Sequence, residues 1–112
     1  MKSEIESIES LFSIIENKAK GNEKKSYTKN LLKEGKNKIA QKLGEECFEL
    51  IIDYLNGSKK RTIEEAADLI YHLLVLLYSK KIKLTLILVL QNLTFLTRSG
   101  LQGEIFFTRK IE

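Results

Sequence analysis

None of the 112 residues is proline. No position therefore removes a backbone donor or kinks a helix, and long uninterrupted helices are open to the whole chain. The hydrophobic periodicity uses that freedom. Ile5, Ile8, Leu11, Phe12 and Ile15 recur at helical spacing with Glu4, Glu6, Glu9 and Glu16 between them, predicting a first helix. It ends in the Lys- and Asn-rich stretch 17–25, where Gly21 marks a break. Ser26 is the expected N-cap of a short second helix carrying Tyr27, Leu31 and Leu32, which stops at Gly35. A third helix is predicted from about residue 37 to residue 55, with Ile39, Leu43, Cys47, Leu50, Ile51 and Tyr54 as its apolar positions. Asn56-Gly57-Ser58 is a turn signal, and Thr62-Ile-Glu-Glu65 reads as a capping box opening a fourth helix. That helix runs through Ala66, Ala67, Ile70, Leu73, Leu74 and Leu77 to about Tyr78.

The segment 84–96 is apolar on nearly every side. Its Thr, Val and Ile content suits a strand, but its length and the helical context favour a fifth helix. A helix apolar all round must be buried on more than one side. So short a chain has little interior to cover it, which predicts a homodimer. The tail 97–112 carries Gly100, Gly103 and then Ile105-Phe106-Phe107, and is expected to be irregular or docked on a partner. The expectation is one all-α domain of four to five helices over 1–112, with its core in 26–96 and its bundle completed by dimerisation.

Composition narrows the function classes. With 43% hydrophobic residues the chain can build a core, so disorder is not expected. The single cysteine, Cys47, excludes an internal disulfide framework or a Cys-rich zinc module and suits a reducing cytosol. Cys47 itself is expected to be inert core. The N-terminus lacks the apolar run of a secretory signal, and no apolar stretch is long enough to span a bilayer, so a cytoplasmic protein without membrane contact is expected. A net charge of +4 permits an anionic partner, but acids interrupt every candidate basic face, and no nucleic-acid binding is expected.

The chemistry concentrates on the third and fourth helices. Lys38, Lys42, Glu46, Glu49 and Asp53 step by three or four along one face, as do Arg61, Glu65, Asp68 and His72 on the next helix. From a turn centred between Gly57 and Ser58, Glu49 and Glu65 lie about eight residues away on either side, and Glu46 and Asp68 about eleven. In an antiparallel hairpin each pair then sits at matching height, so four carboxylates converge. Like charges that close raise one another's pKa unless a cation neutralises them, and hard carboxylate oxygens suit Mg²⁺, or Mn²⁺, rather than Zn²⁺. The bland alternative is a solvated acidic face softened by lysines. Matching heights on facing helices, with Ala66, Ala67 and a leucine run beside the acids, weigh against it.

The string Ser26-Tyr-Thr, Leu31-Leu32, Gly35-x-x-Lys38 and Lys42-x-x-Glu45-Glu46-x-x-Glu49, followed by Glu64-Glu-Ala-Ala-Asp-Leu-Ile-Tyr-His-Leu-Leu-Val-Leu-Leu77, closely resembles the phosphoribosyl-ATP pyrophosphatase family. That family belongs to the all-α, MazG-like nucleotide pyrophosphohydrolases, which carry paired Glu-x-x-Glu and Glu-x-x-Asp elements on adjacent helices. Here these are Glu46-x-x-Glu49 and Glu65-x-x-Asp68, and the match covers residues 26–77. The paired acids specify only the superfamily. The Ser-Tyr-Thr start, the Lys-x-x-x-Lys spacing and the Asp-Leu-x-Tyr-His string point to the particular family.

The resemblance implies Mg²⁺-dependent hydrolysis of phosphoribosyl-ATP to phosphoribosyl-AMP and pyrophosphate, the second step of histidine biosynthesis. It implies Glu46, Glu49, Glu65 and Asp68 as metal ligands, and Glu45 or Glu49 as the group that orients or deprotonates water. Lys38 and Lys42 would meet phosphate oxygens, their ordinary alternative being intrahelical ion pairs. Ser26 and Tyr27 would touch substrate, the alternative being a cap and a half-buried packing residue. His72 is expected to be a structural or supporting partner rather than a base or ligand. The tail departs from the family outline: Gln102 replaces a Ser, and Ile105-Phe106-Phe107 stands where charges are usual. The family also occurs fused to the cyclohydrolase of the next step, for which 112 residues leave no room. The other functions open to these residues are hydrolysis of ordinary or non-standard nucleoside triphosphates, and a non-enzymatic helical assembly module.

Overall fold

A computed structural model describes residues 7–22 and 24–98. They form five helices: α1 (Ile8–Lys20), α2 (Tyr27–Glu34), α3 (Lys36–Asn56), α4 (Lys59–Ser79) and α5 (Leu84–Arg98). No strand occurs among the described residues. The all-α expectation holds, and the segment weighed between strand and helix is helical.

Caps set most of the boundaries. Ser7 Oγ accepts the Ser10 N–H at 3.1 Å to open α1, which runs on through Lys20 before Gly21 ends it. The Lys- and Asn-rich stretch thus contributes its first turn to the helix. Ser26 Oγ accepts the Lys29 N–H at 3.2 Å and opens α2 as its sequence position predicts. Gly35 ends α2 and begins α3 in one residue, with φ at +96°, a left-handed conformation that side chains resist. The helix carrying Asp68 starts earlier than the predicted capping box. Ser58 is the N-cap, accepting the Arg61 N–H at 3.1 Å. Thr62 lies inside the first turn, its hydroxyl reaching the Ser58 carbonyl at 3.0 Å and the Asp53 carbonyl at 3.1 Å. The Ser58 cap wins because it sits directly after the turn, leaving Thr62 free to tie α4 to the end of α3.

The chain divides into two compact units, one up to Ile82 and one from Lys83. In the first, α3 and α4 form the most extensive packing, as an antiparallel hairpin joined by Gly57-Ser58, with α1 and α2 against them. Its core joins Phe12 and Ile15 of α1, Leu31 of α2, Ile39 of α3 and Leu74, Val75 and Leu77 of α4. Phe12 meets Tyr78 edge-on, with ring centroids 6.4 Å apart. The second unit, as far as it is described, is α5, with Leu84 buried and Leu86, Val89, Leu93 and Phe95 exposed in the single chain. Its helix continues through Arg98, past the predicted start of the tail; residues 99–112, and Ile5, lie outside the described residues.

Burial corrects one part of the periodicity reading. Of the six apolar positions predicted for α3 only Ile39 is buried. Cys47 is half-buried rather than core, and Ile51 and Tyr54 are exposed. Phe48, Ile52 and Leu55 add a second apolar stripe, exposed, on the same helix. α3 is therefore apolar on two sides, and one chain covers only one of them.

Leu74 is 2% exposed among the core side chains, so shortening it leaves a cavity in close-packed surroundings. Leu74→Ala is expected to destabilise the protein by about 2–5 kcal/mol in urea unfolding followed by circular dichroism.

Candidate active site

Three carboxylates meet where α3 and α4 face each other. One oxygen from each of Glu46, Glu49 and Glu65 lies within 4.8 Å of the others. Glu46 and Glu65 are buried and Glu49 is exposed, so the cluster opens to solvent on one side. Glu46 Oε2 and Glu65 Oε2 are buried without a hydrogen-bond partner. Buried polar atoms are nearly always paired, because an unpaired one forfeits its hydration. Two such oxygens in one cluster, with a third carboxylate at its mouth, form a donor set that fits a hard divalent cation.

The electrostatics point the same way. Burial raises the Glu46 carboxyl above its ordinary range, and the Glu49 and Asp68 charges add to this. Burial also pushes Glu65 up to about 7, helped by the Glu49 carboxylate, which can share its proton, and by the charges of Glu46 and Asp68. A proton or a cation bound here would relieve the repulsion between the two buried carboxylates.

Asp68 stands apart from the other three predicted ligands. It is exposed, close enough to act on Glu46 and Glu65, but outside the group whose oxygens converge. Distance from the turn pairs Glu46 with Asp68. In the structure Glu46 and Glu49 converge on Glu65, one turn nearer the hairpin. Glu45 also lies outside the cluster. Its carboxylate accepts from Gln41 Nε2 at 2.9 Å and pairs with Lys42 Nζ at 3.3 Å, and those two bonds hold its carboxyl below the ordinary range.

The lysines meet the cluster from the N-terminal side. Lys42 Nζ lies 3.3 Å from Glu45 and 3.9 Å from Glu46. Its burial favours the neutral amine, but the Glu45 bond and nearby negative charge outweigh it and raise the pKa. Lys38 is half-buried one turn earlier and acts on Glu45 only through space. Ser26 is 4% exposed and its hydroxyl serves the α2 cap, whereas Tyr27 is half-exposed with its hydroxyl 3.0 Å from His72 Nε2.

In the sequence Arg61 is one member of a charged stripe. Its guanidinium lies 3.4 Å from Asp53 Oδ1 and 3.6 Å from Glu65 Oε1, so it straps the two helices and orients the buried acid. The signal was present as the four-residue spacing between Arg61 and Glu65. The link to Asp53 depends on the turn. Gly57 makes that turn possible, since a Cβ there would stand 2.6 Å from Asp53 Oδ1 and 3.0 Å from its main chain.

Comparison with known proteins adds to this geometry. A family profile described as Phosphoribosyl-ATP pyrophosphohydrolase matches residues 8–92. A histidine biosynthesis bifunctional protein HisIE of Staphylococcus aureus is 45% identical over 73 residues, 65% of this chain and 35% of that protein. The protein of the same name from Staphylococcus epidermidis is 49% identical over 80 residues, 69% of this chain and 38% of that protein. The chain thus spans little more than a third of the length of these curated relatives.

The Glu65 shift sets a sign for stability. Its folded-state value lies above the ordinary 4.5, so between the two the folded protein holds a proton that the unfolded chain has released. Stability is then fully present below about 4.5 and is lost as pH rises through about 7. In chelator-treated protein the melting temperature is expected to fall as pH is raised across this window, and Glu65→Gln should flatten the slope.

Proposed function

The chain belongs to the phosphoribosyl-ATP pyrophosphohydrolase family, and on that premise we propose that it hydrolyses phosphoribosyl-ATP at the α–β phosphoanhydride. The products are phosphoribosyl-AMP and pyrophosphate, those of the second step of histidine biosynthesis, and the proposed site of the reaction is the cytoplasm. The observation that carries the reading is the pair of orphaned, buried carboxylate oxygens of Glu46 and Glu65 beside Glu49.

Glu46, Glu49 and Glu65 would hold a Mg²⁺ or Mn²⁺ ion, with Asp68 at the edge of the set. A bound ion supplies neutralisation of the polyphosphate and stabilises charge developing on the leaving pyrophosphate. Glu49, exposed at the mouth of the cluster, is better placed than Glu45 to orient water and take its proton. Glu45 is already engaged by Gln41 and Lys42 and holds its proton weakly. Lys42 can turn from Glu45 to a phosphate oxygen without leaving the site, and Lys38 extends the positive edge by one turn. Ser26 contributes by fixing the start of α2 and hence the place of Tyr27.

A homodimer is part of the same reading. Phe48, Ile52 and Leu55 are 70%, 56% and 68% exposed and step by three or four along α3. An apolar stripe of that size on a small protein is ordinarily an interface. Light scattering should return twice the 12.9 kDa chain mass, and Phe48→Asp with Ile52→Asp should halve it.

Incubation with Mg²⁺ and phosphoribosyl-ATP should release pyrophosphate, with plain nucleoside triphosphates much poorer substrates. Release from several plain triphosphates but none from phosphoribosyl-ATP would assign the chain to another pyrophosphohydrolase activity. Glu49→Ala and Asp68→Ala are each expected to lower kcat/KM by about 100-fold or more with the fold retained. If both variants keep full activity, and no divalent cation raises the melting temperature, the acidic stripe is only a solvated face.

A further inference from the structure

His72 is 5% exposed, and both of its ring nitrogens are engaged. Nδ1 lies 2.8 Å from the Asp68 main-chain oxygen, and Nε2 lies 3.0 Å from the Tyr27 hydroxyl. A carbonyl oxygen can only accept, so Nδ1 carries a proton. In the neutral ring Nε2 is then bare and takes the Tyr27 O–H. With the ring neutral, the phenolic proton is spent on Nε2, and the Tyr27 oxygen is left with lone pairs to offer a ligand.

The ring that carries this oxygen is held in place. Tyr27 meets His72 edge-on at a centroid distance of 5.9 Å and lies 6.0 Å from Tyr71. Tyr71 packs perpendicular to His72 at 5.1 Å, and its hydroxyl bonds Thr28 Oγ1, the residue after Tyr27. Four side chains thus lock the first turn of α2 to α4, yet Tyr27 itself stays 52% exposed. His72 lies one turn beyond Asp68 and bonds its main-chain oxygen, so the Tyr27 hydroxyl bonded to His72 stands beside the carboxylate cluster.

We propose that His72 is a positioning residue that presents Tyr27 as a hydrogen-bond acceptor, so that Tyr27 receives a donor from the nucleoside part of the substrate and makes no phosphate contact. Ionised phosphate oxygens are acceptors and are repelled by bare lone pairs, whereas ribose hydroxyls and ring amines donate. Phosphate recognition falls to Lys42, and Tyr27 sorts substrates by what the phosphates are attached to. This inference rests on the nucleotide pyrophosphohydrolase reading above.

The test compares Tyr27→Phe, His72→Phe and His72→Gln in the full chain, using phosphoribosyl-ATP turnover and calorimetric binding of AMP and of inorganic pyrophosphate with Mg²⁺ present. Tyr27→Phe and His72→Phe should each raise KM about tenfold with kcat changed less than about twofold, the loss of one hydrogen bond. The double variant should be no worse than either single, because both remove one linked contact. His72→Gln, whose amide oxygen stands near the former Nε2, should recover KM to within about threefold. AMP binding should weaken in step with KM while pyrophosphate binding stays unchanged. Equal weakening of pyrophosphate by Tyr27→Phe would overturn the proposal, as would additive losses or a fall in kcat at constant KM. The exposed position of Tyr27 keeps the test usable if His72→Phe fails to fold. Should the wild-type chain release nothing from phosphoribosyl-ATP, the functional reading fails by itself, and the two calorimetric affinities still decide the role of Tyr27.

Discussion

Two carboxylates buried side by side between packed helices repel each other, and everything around the α3–α4 hairpin answers to that repulsion. Glu46 and Glu65 each leave an oxygen without a partner, at a place where hydration is largely lost. A proton relieves part of the strain, which is why Glu65 is pushed up to about 7. A divalent cation would relieve more of it, because it would satisfy several oxygens at once at a pH where all of them are ionised. The site is thus costly to the fold and ready for a ligand for one and the same reason.

The hairpin has to hold those acids together against their charge. Its restraints lie at the turn and along the helix edges, away from the orphaned oxygens. Gly57 lets α3 double back against the Asp53 main chain, Ser58 caps α4, and Thr62 bonds back to the end of α3. Arg61 straps Asp53 to Glu65, and Lys42 sits against Glu45 and Glu46. These cations offset part of the negative charge without filling the centre, and the net charge of +4 for the whole chain conceals this local acidity. One turn beyond Asp68 on α4, the Tyr27–His72 bond and the Tyr71–Thr28 bond fasten α2 beside the same cluster.

The apolar surface tells a second story about size. The core of the first unit is small, and much of the apolar surface of α3, like the described part of α5, stays exposed in one chain. Hydrophobic periodicity reports that a residue is apolar, not what covers it. Ile39 and Tyr54 belong to the same predicted set, yet one is buried and the other is 74% exposed. The proposed homodimer would give a second subunit that covers both the exposed stripe of α3 and a helix that is apolar on nearly every side.

Helix number and order were legible because proline is absent, glycines and serines punctuate the chain, and apolar residues recur at 3.6-residue spacing. The acidic elements were legible too, since i, i+3 and i+4 steps place residues on one face whatever the surroundings. Matching heights across the turn brought Glu49 to Glu65, because helix rise is the same for every sequence. Height alone could not say that Glu46 would also turn toward Glu65 while Asp68 stayed at the edge. That depends on how the helices roll against each other, which the burial of Ile39, Leu74 and Val75 sets. The partners of His72 were equally invisible: Tyr27 is 45 residues away in sequence, and only the packing of α2 on α4 makes them neighbours. Local pattern chose the helices and their faces, while contacts between distant residues chose which of those faces meet and which oxygens are left without a partner.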